Sequence, residues 1–206
     1  MARLGPLLAD PERMQTIGRA ALDVLLAEPR ADATQLAAVG YGAGGTIALE
    51  LARDGVDLKA VIGVNPGLAT MRPEDSVNIT GQVLVCVGSE DPIVPPEQRR
   101  AFQEEMQAAG VDWRLNIYGG AEHAFHHPPV NPDGSPSDAD THKQSVLPGV
   151  SYHHAHAQRV WRHILDLLDE TFRLPSVHIH RQLRATPEAT FDAWLDPGCS
   201  ASSRWC

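Results

Sequence analysis

Short, nearly continuous apolar runs alternate along this chain with longer amphipathic stretches, and that alternation restricts the fold more than any other feature. Residues 36–41, 59–64, 82–87 and 112–118 read as strands, and residues 12–28, 44–53, 96–109 and 152–172 read as helices. Strands that are apolar on both sides of the pleat need cover on both faces, and a helix between successive strands supplies it. The expectation is therefore an α/β fold: a parallel sheet of about four strands, joined by crossovers, with helices on both faces. In the first long helix Met14, Ile17, Ala21, Leu22, Leu25 and Leu26 share one side, and Pro29 stops it. Gly110 closes the helix at 96–109.

Two segments break this rhythm. Residues 127–150 are rich in Pro, Asn, Asp, Gly and Ser without periodicity, so they are predicted to form a long surface loop. Beyond Leu174 and Pro175 the pattern changes. Residues 177–183 alternate like a half-exposed strand, and Thr186 followed by Pro187 opens a short helix over 188–195. One strand and one short helix cannot bury a core. Residues 1–174 are thus expected to form one domain, and 175–206 an appendage or the cut-off start of a second.

Composition excludes several classes of function. The 206 residues carry a formal net charge of −9 and no Lys/Arg block, so a phosphate-neutralising surface for nucleic acid is not expected. No apolar run approaches the roughly 18 residues of a membrane span, and the first residues lack a secretory pattern. The cytoplasm is the expected compartment, with no membrane partner. Cys86, Cys199 and Cys206 are an odd set without a disulfide or zinc spacing, and Cys86 sits inside an apolar strand. Histidines cluster at His123, His126 and His127 and again at His153, His154 and His156. A metal site would need several to converge with oriented partners, and their spacing matches no zinc signature; neither a metal nor another cofactor is expected.

The chemistry concentrates in Gly40-Tyr41-Gly42-Ala43-Gly44-Gly45, laid out as strand, turn and helix. A Gly-x-X-x-Gly in this setting is the form of a nucleophile elbow. Its middle residue is held in a strained turn, and the flanking glycines let strand and helix pass closely. The next backbone N–H, here that of Ala43, would serve the oxyanion hole. At the middle stands Gly42, with neither hydroxyl nor thiol. The alternative is a glycine turn binding phosphate at a helix N-terminus. The glycine spacing does not fit the dinucleotide fingerprint, and no acidic residue ends the next strand. Two later residues favour the elbow. Asp91 lies just past the strand at 82–87, and His123 lies on the loop after the strand at 112–118. Elbow, acid and base then follow one another in the order of an α/β-hydrolase triad.

Residues 12–173 resemble the dienelactone hydrolase family of α/β-hydrolases. The resemblance is carried by Gly40 to Gly45, by Gly88-Ser89-Glu90-Asp91-Pro92 with Pro95-Pro96-Glu97-Gln98, by Gly119-Gly120-Ala121-Glu122-His123-Ala124-Phe125, and by Pro148-Gly149-Val150-Ser151-Tyr152. It implies a partial α/β-hydrolase fold, Asp91 as triad acid and His123 as triad base. The family's cysteine or serine would stand at Gly42, so the resemblance supplies no nucleophile. It also implies strands ahead of the elbow strand, and a loop among them giving the second oxyanion N–H. The residues before 36 read instead as one helix and a linker. Both ends therefore read as cut. The stretch 176–194 is similar to the opening of a START-like domain of the Hsp90-ATPase-activator type.

Two functions follow from this. One is a hydrolase of small carboxylic esters or lactones by ancestry, with activity lost or very low because of Gly42. The other is a non-catalytic remnant or binding module on the same scaffold. An elbow strand with a neighbour on one side only also predicts self-association through the exposed edge, aggregation, or a need for a partner segment.

Overall fold

The computed structural model describes residues 4–128 and 144–172. Strands β1 (Ala37–Tyr41), β2 (Ala60–Val64), β3 (Gln82–Gly88) and β4 (Trp113–Tyr118) form a four-stranded parallel sheet in the order β1-β2-β3-β4. Each strand enters through an apolar run and leaves into a loop on the same edge. The crossovers are α3 (Ala43–Arg53) and α4 (Pro96–Ala109), with a 3-10 turn at Pro73–Asn78 between β2 and β3. A short helix α1 (Leu4–Leu8) and the long α2 (Pro11–Leu26) precede the sheet, and α5 (His154–Phe172) follows it. The α/β fold with its parallel sheet is as the sequence implies.

The side-chain alternation of β2 and β3 divides the core in two. Val61, Val83, Val85 and Val87 pack with Leu49, Ala52, Phe102 and Met106 of α3 and α4. Ala60, Ile62, Val64, Leu84 and Cys86 face the other way, onto Val160, Ile164 and Leu167 of α5. Because neighbouring strand residues point to opposite faces, a run with no polar interruption is what a two-faced sheet requires. The Asp10 side chain accepts the Arg13 N–H at 3.1 Å and caps α2, with Pro11 at its first position. Gly110, at φ 70°, ends α4.

One buried cluster is ionic. Arg53 bonds Glu50 at 2.7 Å and Glu105 at 2.8 Å, and Ser76 also bonds Glu105. It ties α3, the 3-10 turn and α4 together. Removing one partner from such a buried set typically costs about 3–5 kcal/mol, because the remaining charge stays buried.

The structure differs from the sequence expectation over 127–150. Strands β5 (Gln144–Leu147) and β6 (Val150–Tyr152) form an antiparallel pair inside or just after that stretch. The helix predicted from 152 starts at His154, and Tyr152 ends β6. These strands are too short to show a period, and the pair is fixed from outside: His123 donates its N–H to Gly149 O, and Ser151 donates to His123 O. The tail beyond Phe172, with its expected strand, helix and START-like character, lies outside the described residues.

At the other side of the sheet β1 pairs only with β2 among the described residues. Val39 and Tyr41 are 42% and 43% exposed there. A row of backbone donors and acceptors is therefore open along β1.

Candidate active site

In a parallel sheet the loops leaving the C-terminal strand ends share one edge, where ligands of open α/β sheets bind. The register aligns Tyr41 with Val64, Val64 with Cys86, and Cys86 with Asn116. The residues just past these ends, Gly42, Asn65, Asp91 and His123, are thus brought to one rim.

Strand β1, a turn at Gly42 and helix α3 follow one another here, and the glycines act differently from one another. Gly42 has φ 53° and ψ −125°, a conformation that strains any residue with a Cβ, and caps the start of α3. A Cβ on Gly40 would stand 2.3 Å from the Gly44 carbonyl and 2.4 Å from Gly45 N, so strand and helix touch there. Gly45 is crowded too, 2.9 Å from Gly40 O. Gly44 is not: a Cβ there meets nothing within 4 Å. A Cβ is therefore excluded at Gly40 and Gly45 but not at Gly44. A side chain on Gly42 would likewise find open space within 4 Å.

Asp91 is held in the turn after β3, its side chain fully buried. Its Oδ1 accepts the Ile93 N–H at 2.8 Å, and its Oδ2 lies 2.9 Å from His123 Nδ1. Burial pushes the Asp91 carboxyl up, but the hydrogen bonds of His123, Ile93 and Asn65, with the His123 charge, outweigh it and hold it below the usual value. An ionised carboxylate can only accept, so that bond needs the His123 proton on Nδ1. The His123 side chain is 19% exposed. Glu90 N–H to Ala121 O at 2.9 Å fastens the Asp91 turn to the histidine loop. Gly88 permits this contact, since a Cβ on it would fall 2.2 Å from Ala121 O.

Two residues that the sequence reading did not single out for this site join it. Asn65, completely buried just past β2, donates Nδ2–H to Asp91 Oδ2 at 3.0 Å. Its Oδ1 lies 3.0 Å from His126 Nδ1. Burial, then the neighbouring His127 and His123, push the His126 pKa down to about 4. Its ring lies 4.7 Å from that of Tyr41, which brings the histidine loop against the elbow strand. His126 had appeared only in a histidine count, and an asparagine after an apolar strand ordinarily reads as a turn residue. Of the other histidines, His153 and His156 lie with tilted rings 3.9 Å apart near the start of α5, and no three His, Cys, Asp or Glu side chains converge as a metal site among the described residues. Cys86 is buried under the rim, and burial pushes its thiol up to about 11, so it does not offer a thiolate near neutral pH.

Residues 4–172 match the dienelactone hydrolase family. Among solved structures, one titled m3DLH is 38% identical with a TM-score of 0.71, and the alignment covers 82% of this chain and 66% of that one. A dienelactone hydrolase-like promiscuous phosphotriesterase, P91, from metagenomic libraries, is 31% identical with a TM-score of 0.71 over the same shares. The hydrolase tropI of Talaromyces stipitatus is 26% identical over 106 residues, which are 50% of this chain and 41% of that protein. The chain thus spans just under two thirds of the solved relatives' length and less than half of the curated one's. With the sheet order, the elbow geometry and the extent of the match in agreement, this chain belongs to the dienelactone hydrolase family.

Proposed function

We propose that the chain carries the acid–base half of a carboxylic ester or lactone hydrolase site, with turnover lost or very low because Gly42 holds the nucleophile's place. Asp91 acts as the acid that orients His123, His123 as the base, and the Ala43 N–H as an oxyanion donor. The observation that carries this reading is the 2.9 Å contact of Asp91 Oδ2 with His123 Nδ1 on the rim that also holds the elbow. The pair keeps the geometry in which a carboxylate fixes an imidazole tautomer and steadies its cation.

Any remaining hydrolysis would run through water. His123 Nε2 would take a proton as the water oxygen adds to the substrate carbonyl, and would return it to the departing alkoxide. Such a route forgoes the covalent intermediate that divides one hard step into two. The proposal also places the protein in the cytoplasm, without a cofactor, and has it self-associate along β1.

The test is a pre-steady-state assay with an activated aryl ester, and with an aryl phosphotriester because one relative is described as acting on that class. The expected result is no burst of aryl alcohol, and at most slow, linear release that falls on His123→Ala. Gly42→Cys is expected to give a burst. A burst from the unaltered chain would mean that another side chain is the nucleophile. Linear release absent from all variants, together with saturable binding of a lactone, would favour the binding-module reading.

A further inference from the structure

Asn65 stands where a structural explanation is readily available. It has φ 50° at the end of β2, a left-handed conformation in which asparagine is several-fold enriched. If the turn were its whole purpose, its side chain would be free to take any partner. Instead the amide spans two ionisable side chains with both of its ends, one bond at 3.0 Å to Asp91 and one at 3.0 Å to His126. Its backbone is held independently, by its N–H to Cys86 O at 2.8 Å.

The directions of these bonds follow from the chemistry of the groups. Asp91 Oδ2 can only accept when ionised, so the Asn65 amide nitrogen faces it and the Asn65 oxygen faces His126. An amide oxygen can only accept, so His126 Nδ1 must carry a proton. The His126 ring is neutral at neutral pH, which leaves its Nε2 bare. That same ring lines a surface pocket of about 480 Å³ with Tyr41, His127 and Trp161. The Asp91 oxygen that takes the Asn65 hydrogen bond is also the one that receives His123. With Ile93 N–H on Oδ1, both carboxylate oxygens are then engaged and its rotation is stopped.

We propose that Asn65 is a positioning residue of this site, which clamps the carboxylate of Asp91 against His123 and fixes His126 as its Nδ1–H tautomer, so that one buried carboxylate orders two imidazoles. The inference rests on the reading of Asp91 and His123 as an acid–base pair. Its consequence is an uncharged His126 beside the elbow, offering Nε2 as a hydrogen-bond acceptor to a ligand hydroxyl or amide.

Long-range nitrogen–proton NMR of the imidazoles in the full chain at neutral pH reads this directly. In the unaltered protein His126 is expected to show a protonated Nδ1 and a bare Nε2, and His123 a downfield Nδ1 proton. Asn65→Gly keeps the left-handed backbone without strain and removes the amide. It is expected to return His126 toward the Nε2–H tautomer that predominates in water and to raise the carbon-detected titration midpoint of Asp91. Asn65→Asp keeps the acceptor and removes the amide donor. His126 is expected to keep its Nδ1 proton there, while the Asp91 midpoint rises, since two adjacent carboxyls resist ionising together. An Nε2–H tautomer of His126 in the unaltered protein overturns the proposal, as does an Asn65→Gly variant whose His126 and Asp91 signals do not move. The absence of a bonded Nδ1 proton on His123 would instead remove the underlying acid–base reading. Because the first observation needs no variant, a misfolded mutant does not leave the question open.

Discussion

His126 and Asp91 share one buried network, and burial disfavours the charged form of each. Asp91 overcomes this through its donors and stays ionised, whereas His126 gives up its charge. The pH dependence of stability follows from the second. In the unfolded chain a histidine titrates near 6.5, and in the fold His126 titrates near about 4. Between these values the unfolded state binds the extra proton, so stability is full above about pH 6.5 and is lost as pH falls toward about 4. The loss over that window is on the order of 3 kcal/mol. Urea midpoints at pH 7 and pH 5 should therefore differ by less in His126→Gln than in the unaltered chain. An equal difference would mean that His126 carries its charge in the fold. Asp91 acts in the same direction at lower pH: its folded pKa is depressed, so its contribution is present above about pH 3.9 and lost as pH falls through the folded value. Asp91 and His123 were legible because each follows a recognisable strand in the triad order. Asn65 was not, since its partners lie 26 and 61 positions away and nothing local marks it as more than a turn.

The strand-to-helix crossing of β1 and α3 shows how narrowly a motif can be read. Both glycines of Gly-x-X-x-Gly look equally necessary from the sequence, yet only Gly40 lies against backbone. Gly40→Ala would force the strand and helix apart and is expected to cost on the order of 3 kcal/mol or more, as an overpacked site with no flexible neighbour does. Gly44→Ala should instead stabilise by about 0.5 kcal/mol, because alanine is the better helix former and its methyl group meets no atom. Thermal unfolding of the two variants checks both signs, and a destabilising Gly44→Ala would contradict the open space seen there. The long elements were legible for a related reason: each carries its own period, because each buries its own face. The β5–β6 pair, with strands of 4 and 3 residues, carries none. It is held beside the site by backbone bonds to the His123 loop.

At the scale of the sheet, β1 pairs only with β2 among the described residues. Natural edges are blunted by charge, proline or bulges, and Ala37 to Tyr41 contains neither a charged residue nor a proline. Val39 and Tyr41 add apolar surface beside the unpaired backbone, and Trp161 of α5 is 54% exposed. Light scattering coupled to gel filtration is expected to give a mass above the monomer that rises with concentration, and Val39→Lys should lower it. A monomer at all concentrations, with unfolding unchanged by Val39→Lys, would show that the edge is covered. Among the described residues no helix is long and apolar enough to cross a membrane.

The period of the apolar residues was enough to set the α/β class and the parallel sheet covered by helices. Burial on two faces and burial on one leave different repeats in the chain, and each repeat is local. The loop order was enough to nominate Gly42, Asp91 and His123, because a parallel sheet sends successive strand ends to one rim. The tertiary structure alone decided which glycine of the elbow touches backbone, that a hairpin strand braces the histidine loop, and that Asn65 joins Asp91 to His126. Those outcomes depend on distances between segments remote in sequence, and hydrogen bonds across such distances leave no periodic trace in the chain.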